Sequence, residues 1–188
     1  MIDHNEITTY EYNEDGKLMK KTVEKNVWNY EDSSDSSLLS VNVKKLDDWA
    51  TIPVKSSDFA AGFDLFACPD NHDGKPIASI LPSMSAKIRT GIAMSIPKGY
   101  FGAIYARSGL ASKKGLRPAN CVGVIDSDYR GEIIVVLYND SDRTQIVAPK
   151  DRIAQIIISP YAQNAELVEV NELDETVRGD GGFGSTGT

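Results

Sequence analysis

An all-β domain, a sandwich, barrel or jelly roll assembled from many short strands, is the fold class this chain predicts. Three observations support it. Short runs of β-branched and aromatic residues recur at near-even spacing, each bounded by Pro, Gly, Asp or Asn. Only Ser108 to Lys114 has the composition of a helix, and it is short. The 188 residues, 41% hydrophobic and 25% charged, suit one well-filled core with appendages and are too few for two comfortable ones.

Taken in order, residues 1 to 40 stand apart from the rest. They are polar, rich in Glu, Asp and Lys, and close on Glu31-Asp32-Ser33-Ser34-Asp35-Ser36-Ser37, which reads as a flexible linker. Within them, Thr8 to Tyr12 and Lys17 to Val23 flank Asp15-Gly16, a hairpin turn sequence, so the expectation is a solvated extension carrying a small hairpin. From Val41 onward strands are expected at Val41 to Leu46, Phe63 to Ala67, Ile77 to Leu81 and, as one long strand, Ala86 to Ile96. Further strands are expected at Tyr100 to Ala106, Glu132 to Asn139, Thr144 to Ala148, Arg152 to Ser159 and Glu166 to Val170.

Charge and composition narrow the function classes. A net charge of -7 argues against general nucleic-acid binding, because proteins that neutralise phosphates by charge carry a basic face. An anionic ligand would need a local cluster of donors or a metal. Cys68 and Cys121 lie far apart and His4 and His72 are isolated, so neither a disulfide nor a structural zinc is expected. The amino terminus has no basic region or apolar stretch, and no window approaches a membrane span, which makes a cytoplasmic protein the expectation.

The chain is organised around Gly123-Val124-Ile125-Asp126-Ser127-Asp128-Tyr129-Arg130-Gly131-Glu132-Ile133. Two glycines bracket two carboxylates and a tyrosine, and the apolar run Ile133 to Leu137 follows, so the stretch reads as a hairpin with a polar tip and a buried return arm. Asp126, tucked behind Val124 and Ile125, is a candidate for a partly buried general base, and Tyr129 offers a flat face for a sugar or base. By itself the stretch reads first as an ordinary turn rich in Asp and Gly, and it is the rest of the chain that overturns this.

Four other segments punctuate the strands: Ala61-Gly62-Phe63-Asp64-Leu65, Arg107-Ser108-Gly109-Leu110-Ala111, Arg152-Ile153-Ala154-Gln155, and the tail Arg178-Gly179-Asp180-Gly181-Gly182-Phe183-Gly184-Ser185-Thr186-Gly187. Singly, each has a plain structural explanation: a strand end, a helix start, a surface cation, a frayed terminus. Together and in this order the five resemble the motifs of the trimeric deoxyuridine triphosphate nucleotidohydrolases, the dUTPases, over Val41 to Thr188. The resemblance implies an all-β jelly roll, or β-clip, with one short helix, a homotrimer with sites shared between subunits, and a mobile carboxy-terminal arm. It divides the chain into an extension at 1–40, the jelly roll at 41–170 and a glycine-rich arm at 171–188. It further implies magnesium-assisted hydrolysis of dUTP to dUMP and pyrophosphate, which keeps uracil out of DNA and supplies dUMP for thymidylate synthesis.

Carried over onto this sequence, the resemblance makes Asp126 the aspartate that activates water for attack on the α-phosphorus. Tyr129 becomes the aromatic that packs on the deoxyribose, leaving no room for a 2′-hydroxyl. Asn120 matches an asparagine associated with uracil recognition, with Gly123 and Ile125 in the narrow pocket that excludes the thymine methyl. Arg107, Ser108, Gln155 and Arg178 match triphosphate donors, Gly109 allows close backbone approach, and Arg152 supports them from behind. Asp64 corresponds to a residue that orients a water on magnesium, a hard cation held mainly by phosphate oxygens and water. In the tail, Phe183 would stack on uracil while Gly184, Ser185 and Thr186 close on phosphates as a lid.

Three rivals compete for the tail alone. No helix follows to make it a phosphate-binding loop, Arg178-Gly179-Asp180 is an adhesion tripeptide by coincidence in a cytoplasmic chain, and disorder in the free protein is compatible with a lid. Within the fold, the rival is a dCTP deaminase, whose glutamate would lie in the strand after the hairpin; Ile133 to Tyr138 holds no carboxylate. A regulatory or structural jelly-roll protein would show decay in a motif, and none is decayed. Phe63 stands where many members have tyrosine, and the short connection from Asn139 to Arg152 leaves no room for the inserted domain of some phage members.

Overall fold

Alternation in sequence becomes alternation in burial most clearly at Ile134 to Asn139, where Val135, Leu137 and Asn139 are buried and the residues between them are more accessible. The structure is a computed structural model that describes residues 6–12, 18–25 and 39–182. Its strands are β1 (Glu6–Tyr12), β2 (Leu18–Lys25), β3 (Asn42–Lys45), β4 (Phe63–Phe66), β5 (Ala78–Ile80), β6 (Ser85–Arg89), β7 (Ile92–Ser95) and β8 (Tyr100–Tyr105). Helix α1 (Ser108–Lys114) follows, then β9 (Leu116–Pro118), β10 (Gly123–Ile125), β11 (Ile134–Asn139), β12 (Gln145–Val147) and β13 (Arg152–Pro160). The chain divides into two compact units, Met1–Ser40 and Val41–Thr188.

In the first unit β1 and β2 pair antiparallel, with Glu6 opposite Lys25, Glu11 opposite Lys20 and a register shift between Glu11 and Tyr12. Asp15-Gly16, the expected turn, lies outside the described residues.

In the second unit every ladder is antiparallel. The order β10-β8-β13-β4 makes a four-stranded sheet, β6-β11-β9 a three-stranded one, and β12-β5 and β3-β7 are two-stranded pairs. Their inner faces meet in one core whose fully buried members include Leu65, Ile88, Ile92, Ile133, Leu137 and Ile156. Burying each such side chain is worth about 1.5–3 kcal/mol, which is what holds the separate sheets together.

The elements depart from the expectations in four places, each with a physical reason. The long strand at Ala86 to Ile96 is broken into β6 and β7 by Gly91, which has φ +67° and whose missing Cβ would stand 2.7 Å from Cys68 Sγ. Leu116–Pro118 is an unexpected strand, tolerated because it is the edge of its sheet, where a residue without an N–H costs no ladder bond. Glu166 to Val170 forms no strand: Leu167, Val168 and Val170 are exposed, and among the described residues no strand pairs with the segment. Finally, the two arms around Asp126 to Ile133 do not pair with each other, since β10 bonds β8 and β11 bonds β6 and β9. The loop therefore crosses between two sheets instead of closing a ladder.

The helix follows the sequence closely, running from Ser108 to Lys114 with Lys113 and Lys114 in its last turn, where cations oppose the helix dipole favourably. Cys68 is buried and Cys121 exposed, and both are free. Among the described residues no helix is long and apolar enough to cross a membrane.

Asn139 is a polar group that the core has to satisfy. It is fully buried, donates through Nδ2 to the carbonyls of Ile80 and Arg143 at 2.8 Å each, and accepts at Oδ1 from Ser141 N and Ser141 Oγ. Asn139→Leu would leave those partners without it. Urea denaturation at fixed protein concentration is expected to show a loss of about 2–4 kcal/mol, and a change near zero would mean that water replaces the side chain.

Candidate active site

Three neighbouring strands bring the first group of site residues together. Gln155 on β13 stands opposite Asp64 on β4 on one side and Tyr105 on β8 on the other. Two residues beyond Tyr105, Arg107 is still in extended conformation (φ -85°, ψ 128°), and α1 begins at Ser108. The sheet thus collects Asp64, Arg107 and Gln155 from segments far apart in sequence.

Asp64 organises this cluster. It is buried, and its Oδ1 accepts from Arg107 Nε at 2.7 Å while Oδ2 accepts from Arg152 Nη1 at 3.2 Å. Arg107 Nη1 also donates to the Arg152 carbonyl at 3.3 Å. Gln155 Nε2 donates to the Ala106 carbonyl at 2.9 Å, so its amide is seated beside the turn into the helix. Beside them lies a hollow of about 410 Å³ whose lining includes Arg107, Gly109, Lys113, Lys114, Asp151 and Arg152. A Cβ at Gly109 would meet nothing of this chain within 4 Å. The sequence reading gave Lys113 and Lys114 no part here; their position in the last turn of the helix that Arg107 opens was the available signal.

The second group lies along β10 and the loop after it. Gly123 is opposite Ile104 and Ile125 opposite Gly102, and a Cβ on Gly123 would stand 3.1 Å from Asn120 Nδ2, so the Asn120 amide rests over that glycine. Asp126 was expected to be partly buried and is exposed instead, because the strand ends at Ile125 and the chain turns outward with Tyr129 N bonded to the Asp126 carbonyl. Its side chain lines a hollow of about 750 Å³ together with Lys98, Phe101, Asp128, Tyr161 and Gln163. Phe101 and Tyr161 meet edge to face across it, with ring centroids 6.2 Å apart. Tyr129 is exposed, its hydroxyl donating to the Glu132 carbonyl, and Arg130 Nη1 staples the loop by donating to the Ser127 and Tyr129 carbonyls.

The two groups are separated by the length of β8. Asp126 shares its hollow with Phe101, and from Phe101 to Arg107 the chain is extended, on the order of 20 Å. A triphosphate chain is much shorter than that. Within one chain, the carboxylate and the guanidinium cluster do not converge on one small ligand. Arg178 is in neither group; it is exposed and donates to the Gly181 carbonyl at 2.9 Å. Phe183, Gly184, Ser185 and Thr186 lie outside the described residues. Among the described residues no cluster of three or more His, Cys, Asp or Glu side chains is placed to hold a metal.

An antiparallel β-domain that seats two guanidiniums on a buried carboxylate and presents a free carboxylate from an inter-sheet loop is built to handle a phosphorylated ligand. The chain belongs to the dUTPase family, whose sequence model matches residues 48–187. The deoxyuridine 5'-triphosphate nucleotidohydrolase of Syntrophotalea carbinolica is 44% identical over 149 residues, covering 79% of this chain and 97% of that protein. That of Saccharomyces cerevisiae is 42% identical over 139 residues, 73% of this chain and 88% of that protein. Among solved structures, the Staphylococcus bacteriophage 80alpha dUTPase with dUPNHPP superposes with a TM-score of 0.69 at 29% identity, over 79% of this chain and 99% of that one. The dUTPase from phage phi11 of S. aureus, described with a structural Mg(II) ion, gives a TM-score of 0.63 at 26% identity, over 72% of this chain and 99% of that one.

Removing the charge from Asp64 tests the cluster's foundation. Asp64→Asn keeps the shape but leaves Arg107, itself partly buried, without its counter-ion, and is expected to cost about 3 kcal/mol in urea denaturation. A loss below about 1 kcal/mol would mean that the two guanidiniums are held equally well by solvent and main chain.

Proposed function

We propose that the chain hydrolyses dUTP to dUMP and pyrophosphate as a homotrimer, with each site drawing its water-activating carboxylate and its phosphate donors from different copies. The observation that carries this reading is the spacing along β8: Asp126 at one end and the Arg107 cluster at the other are too far apart to serve one triphosphate within a chain. A second copy supplies the missing half. Apolar side chains left exposed on the second unit, among them Leu81, Met84, Val124, Ile134 and Ile146, are the kind of surface such copies cover.

In this site Arg107, Ser108, Gly109 and Gln155 take the triphosphate. Arg107 donates charge-assisted hydrogen bonds, Asp64 and Arg152 keep its guanidinium aimed, and the empty space over Gly109 lets phosphate oxygens approach the main chain. Asn120 with the main chain at Gly123 and Ile125 reads the uracil edge, and the face of Tyr129 packs on the deoxyribose. Asp126 accepts a proton from the water that attacks the α-phosphorus; being outside the core, it becomes shielded only when a neighbouring copy and the substrate close over it. The arm at 171–188 brings Arg178, Phe183, Gly184, Ser185 and Thr186 over the bound nucleotide.

The donor set suits magnesium carried in on the triphosphate. Among the described residues there is no all-protein cage, and a hard cation that keeps water and phosphate oxygens as ligands needs none. Asp64 reaches such an ion only through water, by the lone pairs its two guanidiniums leave unused. When bound, magnesium would neutralise phosphate charge.

Product analysis on a nucleotide panel tests the assignment. With magnesium, dUTP is expected to yield dUMP and pyrophosphate without ammonia, while dTTP, dCTP and UTP are turned over poorly; equal turnover of dTTP would refute it. Asp126→Asn should still bind substrate and lose about 10²–10⁴-fold in kcat. Near-normal turnover would mean another group takes the proton.

The extension at 1–40 is proposed to be dispensable for this chemistry. A chain beginning at Val41 is expected to keep its oligomeric state by light scattering and at least half of the kcat. Loss of assembly would show that the extension belongs to an interface.

A further inference from the structure

The loop that carries Asp126 and Tyr129 is fastened to the fold at its far end by a residue with no role so far. Glu132 is the last residue but one of the loop, largely buried, and its carboxylate accepts three contacts: Arg89 Nε at 3.1 Å from both oxygens, and Gly91 N at 2.8 Å from Oε1. Arg89 ends β6, and Gly91 is the residue that breaks β6 from β7. The next residue along is locked as well, with Ile133 N donating to the Ile92 carbonyl and the Thr90 hydroxyl donating to the Ile133 carbonyl. The whole seat is one short turn of the core.

The fastening reaches the ring of Tyr129. Its hydroxyl donates to the main-chain carbonyl of Glu132 at 3.0 Å, and the ring folds back over Gly131 so closely that a Cβ there would stand 2.4 Å from the Tyr129 hydroxyl oxygen. The ring thus rests on a residue without a side chain and is tethered to a carbonyl whose own residue is pinned by Arg89 and Gly91. On its other side Arg89 faces Asp70 at 3.2 Å and Asp47 at 3.8 Å, so one guanidinium gathers three carboxylates from three separate segments.

We propose that Arg89 and Glu132 are positioning residues that set the sugar-facing ring of Tyr129, and with it the discrimination between deoxyribose and ribose. The inference rests on the dUTPase reading of Tyr129 given above. An aromatic ring excludes a 2′-hydroxyl only while its position is fixed to a fraction of an ångström. A ring on a slack loop would yield to the extra oxygen. The two residues are not equivalent. Removing Glu132's charge leaves Arg89 still held by Asp70 and Asp47, whereas removing Arg89 leaves three carboxylates facing one another, so Arg89 variants perturb the seat more.

The test is the ratio of kcat/KM for dUTP to that for UTP, measured on the full-length assembled protein with melting temperature and oligomeric state alongside. Glu132→Gln is expected to lower the ratio about tenfold, Arg89→Met further, and Arg89→Lys, which keeps charge without the fork, by less than Arg89→Met. The loss for dUTP itself should fall more on KM than on kcat, since Asp126 is untouched. Tyr129→Phe removes only the tether at an exposed loop, folds regardless of the core, and is expected to lower the ratio about threefold. A lowered melting temperature with an unchanged ratio in Glu132→Gln and Arg89→Met, or an unchanged ratio in Tyr129→Phe, overturns the proposal. Tyr129→Ala separates it from the reading beneath. If that variant keeps full discrimination, the sugar role of Tyr129 is wrong and the proposal falls with it. If it loses discrimination while the anchor and tether variants keep theirs, only the anchor is wrong.

Discussion

A carboxylate taken out of water has to be paired, and the pairing of Asp64 is the constraint on which the Arg107 half of the candidate site depends. Its strand, β4, is short and held on one side by β13 and on the other by the isolated bridge to Val54. Burial of the charge is tolerable only because guanidiniums arrive from two other segments, one after β8 and one at the start of β13. The interaction therefore acts in both directions. It satisfies the carboxylate, and it removes the freedom of two long cationic side chains that in open solvent would sample many rotamers.

The opposite end of β8 follows another logic. There the fold invests in shape: Gly102 lies under Ile156, Ile96 and Ile125 with no room for a side chain, which draws β10 tightly alongside and delivers Asp126 to the rim of its hollow. Among the described residues no cation is paired with Asp126. The acid proposed to do chemistry has no ion pair among the described residues, and the acid that does architecture is tied down by two.

How much of this could be read from the sequence differs between the two ends. The helix and most strands were legible because their signals are local: apolar runs, glycine and proline punctuation, two lysines closing a helical turn. The break at Gly91 was not, because it is dictated by Cys68 and Ala50 packing against the glycine from another segment. Glu166 to Val170 has the composition of a strand but no ladder partner among the described residues, and composition cannot report an absent partner. For the site, the segments holding Asp64, Arg107 and Gln155 each had a plain structural explanation singly, and only the ordered set of five motifs gave them roles. Arg89 and Glu132 are 43 positions apart, with no motif joining them, and only the folded turn shows that they touch. Asp126 was misjudged as partly buried because Val124 and Ile125 before it are apolar, yet Val124 is itself exposed, Ile125 is only half-buried, and the chain turns outward after the strand ends.

The extended segment after β13 carries a consequence of its own. Leu167, Val168, Val170, Leu173 and Val177 are exposed along a stretch that forms no strand. A newly made chain that has paired its own strands still shows water a ribbon of greasy side chains, which none of the described residues covers. If copies assemble as proposed, the final descent in free energy is a matter of encounter: how soon another molecule arrives depends on how many are present, so the rate of synthesis becomes a determinant of how much of this protein reaches its finished form.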